Sequence, residues 1–105
     1  MMRRKSPHLW LLIIQPDASR GFDKLPHEQK ATLFRRLRML LNAEDPYNSP
    51  FVEMIKDKKF DRIRKFRVGD YRVFFSVESI PVTHLKHTYK GTLFLLYIRD
   101  RKEAY

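Results

Sequence analysis

KFRVGDYRVFF, residues 65–75, decides the fold. Gly69-Asp70 is a dipeptide suited to the two-residue loop of a β-hairpin. That loop pairs Val68 with Tyr71, and therefore Arg67 with Arg72. Like charges directly opposite each other across a strand pair are destabilising. At about 5 Å the repulsion is roughly 1 kcal/mol in water and roughly 3 kcal/mol at an effective dielectric of 20. An anion seated between the two guanidinium groups relieves it.

Alternation extends this reading along the flanking strands. Tyr71, Val73, Phe75 and Val77 form a core face, and Arg72, Phe74, Ser76 and Glu78 the opposite one. Phe66 and Val68 leave Lys65 and Arg67 on that opposite face. In the last strand, TLFLLYIRDR (92–101), the core set is expected to be Phe94, Leu96 and Ile98. Leu93, Leu95, Tyr97, Arg99 and Arg101 then point the other way. In one sheet, the non-core face collects Lys65, Arg67, Arg72, Arg99 and Arg101, with Phe74 and Tyr97 among them.

The remaining segments complete an α+β domain. HLWLLII (8–14) is continuously apolar, the pattern of a strand covered on both faces and central in its sheet. The basic head before it suggests a signal peptide, but the run Leu9–Ile14 is too short and no small-residue cleavage site follows. DASRGFDKL (17–25) is expected to form a short helix. Pro26 suits a helix N1 position, with Glu28 in the first turn. Leu33, Phe34, Leu37, Leu40 and Leu41 then share one helix face, and Asn42 is the stop. Residues 43–51 read as a loop and 80–91 as a long basic connection. The order β, α, α, β, β, β places the helices on one face of the sheet.

Composition narrows the partners. The 105 residues form one domain, 1–105, with 22 Lys and Arg against 12 Asp and Glu, a net charge of +10. Such an excess points to a polyanion: nucleic acid first, an anionic membrane second, an acidic protein third. There is no cysteine, hence no disulfide framework and no thiolate zinc site, which fits a reducing cytoplasm. His84 and His87 have no nearby acidic ligand, so no metal is expected. Cations for phosphates and rings for bases suit a nucleic-acid strand. The alternative is a solvated face whose arginines pair with Asp70, Glu78 or Asp100. RNA also carries its own nucleophile, the 2′-OH. Cleavage needs a base near that hydroxyl, cations on the phosphate and an acid for the leaving oxygen. A lysine among arginines is suited to the first of these parts.

KFRVGDYRVFFSV, followed by an apolar strand and RDRKEAY, resembles the RelE/ParE superfamily of bacterial and archaeal toxins. So does the Lys24-Leu25-Pro26 junction between the helices, and EMIKDKKFDRIRKFRVGDYR before the turn. The resemblance spans roughly Leu9 to Tyr105. It implies a RelE-like fold and a ribosome-dependent mRNA interferase, an endoribonuclease of a type II toxin–antitoxin system. Such a toxin cuts the A-site codon through the 2′-OH without metal or cofactor, halts translation and arrests growth. Arg72 then corresponds to the arginine that stabilises the phosphate, and Lys65 to a general base or charge stabiliser. Arg99 corresponds to an arginine near the leaving group, and Tyr105 to the tyrosine that stacks on or orients the substrate. Arg67 and Arg101 are supporting phosphate contacts. Asp100 stands where the family has histidine, and Ile63 where RelE has a second lysine. The implied partners are mRNA and ribosomal RNA in the A site and a cognate antitoxin, with no membrane. The toxin alone would be a cytoplasmic monomer, and a hetero-oligomer with antitoxin. The ParE branch, which inhibits DNA gyrase, and a non-catalytic RNA-binding decayed toxin are the alternatives.

Overall fold

In the computed structural model, which describes residues 8–56, 59 and 62–102, the hairpin forms in the expected register. Its strands are Ile63–Val68 and Tyr71–Glu78, with Val68 opposite Tyr71 and Arg67 opposite Arg72. Gly69 takes φ +60 while Asp70 stays at negative φ, as a II′ turn requires. A Cβ on Gly69 would also meet the Gln29 side chain at 2.4 Å.

The full order is β1 (Trp10–Ile14), α1 (Pro16–Asp23), α2 (His27–Leu41), a 3-10 turn (Pro46–Asn48), β2 (Glu53–Met54), β3 (Ile63–Val68), β4 (Tyr71–Glu78), β5 (Val82–His84), β6 (His87–Tyr89) and β7 (Gly91–Asp100). Five strands form one sheet in the order β1-β7-β4-β3-β2. All neighbours are antiparallel except β1 and β7. Both helices pack on one face. Leu33, Leu37, Leu40 and Leu41 of α2 join Phe66, Val68, Val73, Phe75, Leu93, Leu95 and Ile98 in one core. No helix among the described residues is long and apolar enough to cross a membrane.

The structure corrects several expectations. β1 is an edge strand, not a central one: among the described residues it pairs only with β7, from Trp10↔Gly91 to Ile14↔Leu95. Its apolar run is therefore incompletely covered, and Ile13 and Ile14 are 40% and 49% exposed. Phe34 leaves the buried helix face and is 54% exposed, its ring edge-on to Phe22 at 5.3 Å. Pro26 caps α2 rather than opening it. The connection 80–91 contains its own hairpin, β5–β6. That hairpin turns through Leu85 (φ 49) and Lys86 (φ 69), positions that usually take glycine or asparagine. For residues with a Cβ the left-handed region costs about 1–2 kcal/mol each.

The most consequential correction lies in β7. Phe74 pairs with Tyr97, but Phe75 pairs with Leu95, so one extra residue bulges out of β7. A bulge inverts the inside–outside alternation beyond it. Leu93 and Leu95 are buried before it and Ile98 after it, while Phe94 and Leu96 are only half-buried. The bulge is what keeps Leu95 in the core while leaving Tyr97 and Arg99 on the far face.

β1 ends at Ile14, opposite Leu95, and α1 takes its place beside the rest of β7. Gln15 N–H donates to the Leu95 carbonyl at 2.9 Å, fixing the turn into the helix. Gly21 then lies so close to Ile98 that a Cβ would sit 2.9 Å from the Ile98 Cβ. This brings the first turn of α1 next to Arg99.

Candidate functional site

Three adjacent strands each contribute one arginine at the same level of the sheet. Arg67 of β3 is opposite Arg72 of β4, and Arg72 is opposite Arg99 of β7. With strands about 4.8 Å apart, the Cα atoms of this row span about 10 Å. The next level is Lys65, Phe74 and Tyr97. All six belong to the face turned away from the helices, because Phe66, Val68, Val73, Phe75 and Ile98 occupy the core face between them.

The second level is a shelf of rings. Phe74 and Tyr97 stack with centroids 4.5 Å apart and planes at 27°. The Arg99 guanidinium carbon lies 4.7 Å from the Tyr97 centroid, within the range where a cation is attracted to the ring face. The apolar surface continues past the bulge into a groove of about 360 Å³, lined by Ile63, Ser76, Phe94 and Leu96 with Arg62 and Glu78.

Charge along the arginine row is compensated at its ends and not in its middle. Arg67 is exposed, with Nε 3.6 Å from Glu53 Oε2. Arg99 is clamped by Asp17: Nη1 donates to Oδ1 and Nη2 to Oδ2, both at 2.8 Å. Arg99 Nη1 also donates to the Ile98 carbonyl at 3.1 Å. The hydrogen bonds from Arg99 hold the Asp17 carboxyl below its ordinary value against partial desolvation, aided by the charges of Arg99, Arg20 and Lys24. Arg72 is only 5% exposed, yet no carboxylate of the described residues lies within ion-pair distance. Its guanidinium has one long hydrogen bond, Nη1 to the Tyr71 carbonyl at 3.4 Å. Hydrogen bonds to a charged group contribute about 1.5–3 kcal/mol each. With one marginal acceptor among the described residues, the other guanidinium nitrogens keep contact with solvent through the small exposed part of the residue. Those N–H groups are free of acceptors from the described residues and can donate to an anionic oxygen.

The sequence-predicted residues fall into three groups. Lys65, Arg67, Arg72, Phe74, Tyr97 and Arg99 form one patch. Arg101 is exposed just beyond β7, where its backbone N–H donates to the Asp70 carbonyl at 2.7 Å and closes the end of the sheet. Tyr105 lies outside the described residues. Glu53 meets Arg67 and Asp17 meets Arg99, and the alternation pattern singled out neither acid. Asp17 reads in the sequence only as an acid in a helix first turn, where it complements the dipole. His84 and His87 face each other beside the β5–β6 turn, and no cluster of three metal-ligating side chains occurs among the described residues.

This architecture, two helices on one face of a mostly antiparallel sheet, is the RelE-like fold. A solved structure with the same arrangement is that of the archaeal RelE–RelB complex from Pyrococcus horikoshii OT3. The two chains superpose with a TM-score of 0.61 over 89% of this chain and 96% of that one, at 18% sequence identity. No protein-family model matches the chain, and no curated protein matches it in sequence.

Proposed function

We propose that this chain is the toxin of a type II toxin–antitoxin pair, an endoribonuclease that cuts mRNA in the ribosomal A site. The observation that carries the proposal is Arg72, a residue only 5% exposed at the centre of a row of three arginines, with no carboxylate of the described residues within ion-pair distance. The scissile phosphate is the anion that fits between Arg67, Arg72 and Arg99. Lys65 serves the 2′-OH, as the general base that takes its proton or as a charge stabiliser beside it. The 2′-oxygen attacks the adjacent phosphorus, Arg72 stabilises the non-bridging oxygens, and the bond to the 5′-oxygen breaks beside Arg99. The products are a 2′,3′-cyclic phosphate and a 5′-hydroxyl, the leaving oxygen taking its proton from water. The Phe74–Tyr97 shelf offers a stacking surface to a neighbouring base. Tyr105 is assigned a substrate-orienting part, and Arg101 a supporting phosphate contact.

The partner expected to neutralise this toxin is an acidic, amphipathic antitoxin. RelE in the structural neighbour is in complex with RelB. Here an apolar hollow of about 130 Å³ between β1 and α2, lined in part by Ile14, Phe34 and Leu37, offers such a segment a seat. The +10 net charge favours an acidic one. The toxin acts as a monomer in the cytoplasm.

Programmed ribosomes test the reading. Purified protein should cut the A-site codon, mapped by primer extension, and leave naked message intact. Arg72→Ala should slow the cut about 10²–10³-fold, the usual effect of removing one transition-state donor. Intact message with the native protein would overturn the nuclease reading, and a gyrase supercoiling assay would then examine ParE-type inhibition.

A further inference from the structure

We infer that Asp17 is a positioning residue of the cationic site, holding Arg99 where it can act beside Arg72. The inference rests on the nuclease reading for its substrate, but not for its geometry. Arg99 faces Arg72 directly across a strand pair, where like charges repel. A long side chain with no anchor would swing off the face. Asp17 supplies the anchor through two parallel 2.8 Å hydrogen bonds, the fork-to-fork geometry that fixes a guanidinium plane as well as its place. The Ile98 carbonyl and the Tyr97 ring contact the same guanidinium from other directions.

The anchor itself stands on a rigid element. Pro16 opens α1 with its φ already fixed, and Asp17 follows in the first turn. Gln15 N–H bonded to the Leu95 carbonyl ties the helix entrance to β7. Gly21 against Ile98 sets the closest approach of helix and strand, one residue before Arg99. Asp17 thus translates the packing of α1 on β7 into the position of one guanidinium. Glu53 at the other end of the row does no comparable job: its contact to Arg67 is single, longer and exposed.

A competing role predicts the opposite sign. If Asp17 merely occupies Arg99 and keeps it from phosphate, its removal would strengthen RNA binding and speed cleavage.

A double-mutant cycle separates these roles. Asp17→Asn, Asp17→Glu, Arg99→Ala and the double Asp17→Asn/Arg99→Ala would be compared with the native protein. Single-turnover cleavage on programmed ribosomes gives the maximal rate and the half-saturating toxin concentration. A single-stranded RNA titration at several salt concentrations gives affinity without cleavage. Asp17→Asn should lower the maximal rate about 10- to 100-fold, the range expected for a lost supporting contact, with little change in half-saturation. Asp17→Glu should recover most of the rate. The double variant should match Arg99→Ala alone, because Asp17 acts through Arg99. Independent, multiplying effects of the two substitutions would overturn the inference, as would a faster or tighter-binding Asp17→Asn. If the native protein itself leaves the message intact, the nuclease reading fails. The cycle is then read in the RNA titration, where a double variant that binds as Arg99→Ala does supports the anchor, and one that binds more weakly or more tightly than Arg99→Ala overturns it. Thermal melts of each variant show whether the fold is retained, and Asp17→Glu serves if Asp17→Asn does not fold.

Discussion

The two faces of the sheet are built from the same strands by opposite rules. Toward the helices, Phe66, Val68, Val73, Phe75, Leu93, Leu95 and Ile98 are all buried in one apolar cluster. On the other face, one residue along in each strand, Lys65, Arg67, Arg72 and Arg99 stand close together. The first arrangement follows from transferring apolar surface out of water, at about 25 cal/mol per Å². The second opposes folding, since it gathers cations and buries one of them. A face that works against stability is what the proposed phosphate-binding role requires.

Substitutions on the two faces should therefore affect different observables. The largest expected effect is kinetic. Arg72→Ala should reduce cleavage about 10²–10³-fold, with its melting temperature little changed. On the core face, Phe75→Ala should destabilise the fold by about 3–5 kcal/mol, read from chemical denaturation, because it empties a fully buried ring site. Activity of the fraction still folded should survive.

Smaller effects belong to the acids at the ends of the row. The Asp17 carboxyl is held below its ordinary value in the folded protein. It therefore contributes stability that is present above the ordinary carboxylate value of 3.8 and is lost as pH falls through the lower folded value. Below about pH 4 the native protein should lose melting temperature more steeply than Asp17→Asn. The smallest effect is expected at Glu53. Its ion pair with Arg67 is exposed, so Glu53→Ala should change stability by less than about 1 kcal/mol. It should also raise RNA affinity slightly, by removing a negative charge from the rim.

How much of this was legible beforehand depends on whether local pattern or tertiary order decides each feature. The Gly69-Asp70 turn sets the hairpin register, so Arg67 opposite Arg72 could be read directly. The leucines of α2 declared their buried face, except at Phe34, where the helix rolls out of the core. The rank of β1 in the sheet was not readable, because a continuous apolar run looks the same at an edge and at the centre. The bulge near Leu96 carries no compositional mark, yet it inverted the expected facing of Leu93, Phe94, Leu95 and Leu96. It left Tyr97, Ile98 and Arg99 on their predicted sides, so the cationic patch was recognised even though half of its strand was misread. Asp17 lies 82 residues from Arg99 in sequence, beyond the reach of any periodicity argument. Only the packing of α1 along β7 reveals that contact.

The comparison of the two faces turns on Arg72. The most direct measurement pairs the stability of Arg72→Met with its affinity for single-stranded RNA over a range of salt. Methionine preserves the apolar stem and removes the buried charge. The account predicts a variant more stable by about 1 kcal/mol, since a buried charge without a counter-ion is replaced by an apolar group. It also predicts weaker RNA binding, with the slope of log affinity against log salt reduced by about 0.7, the value for one lost phosphate contact. A variant that is less stable and binds RNA with an unchanged slope would show that Arg72 serves the fold, and would contradict the account.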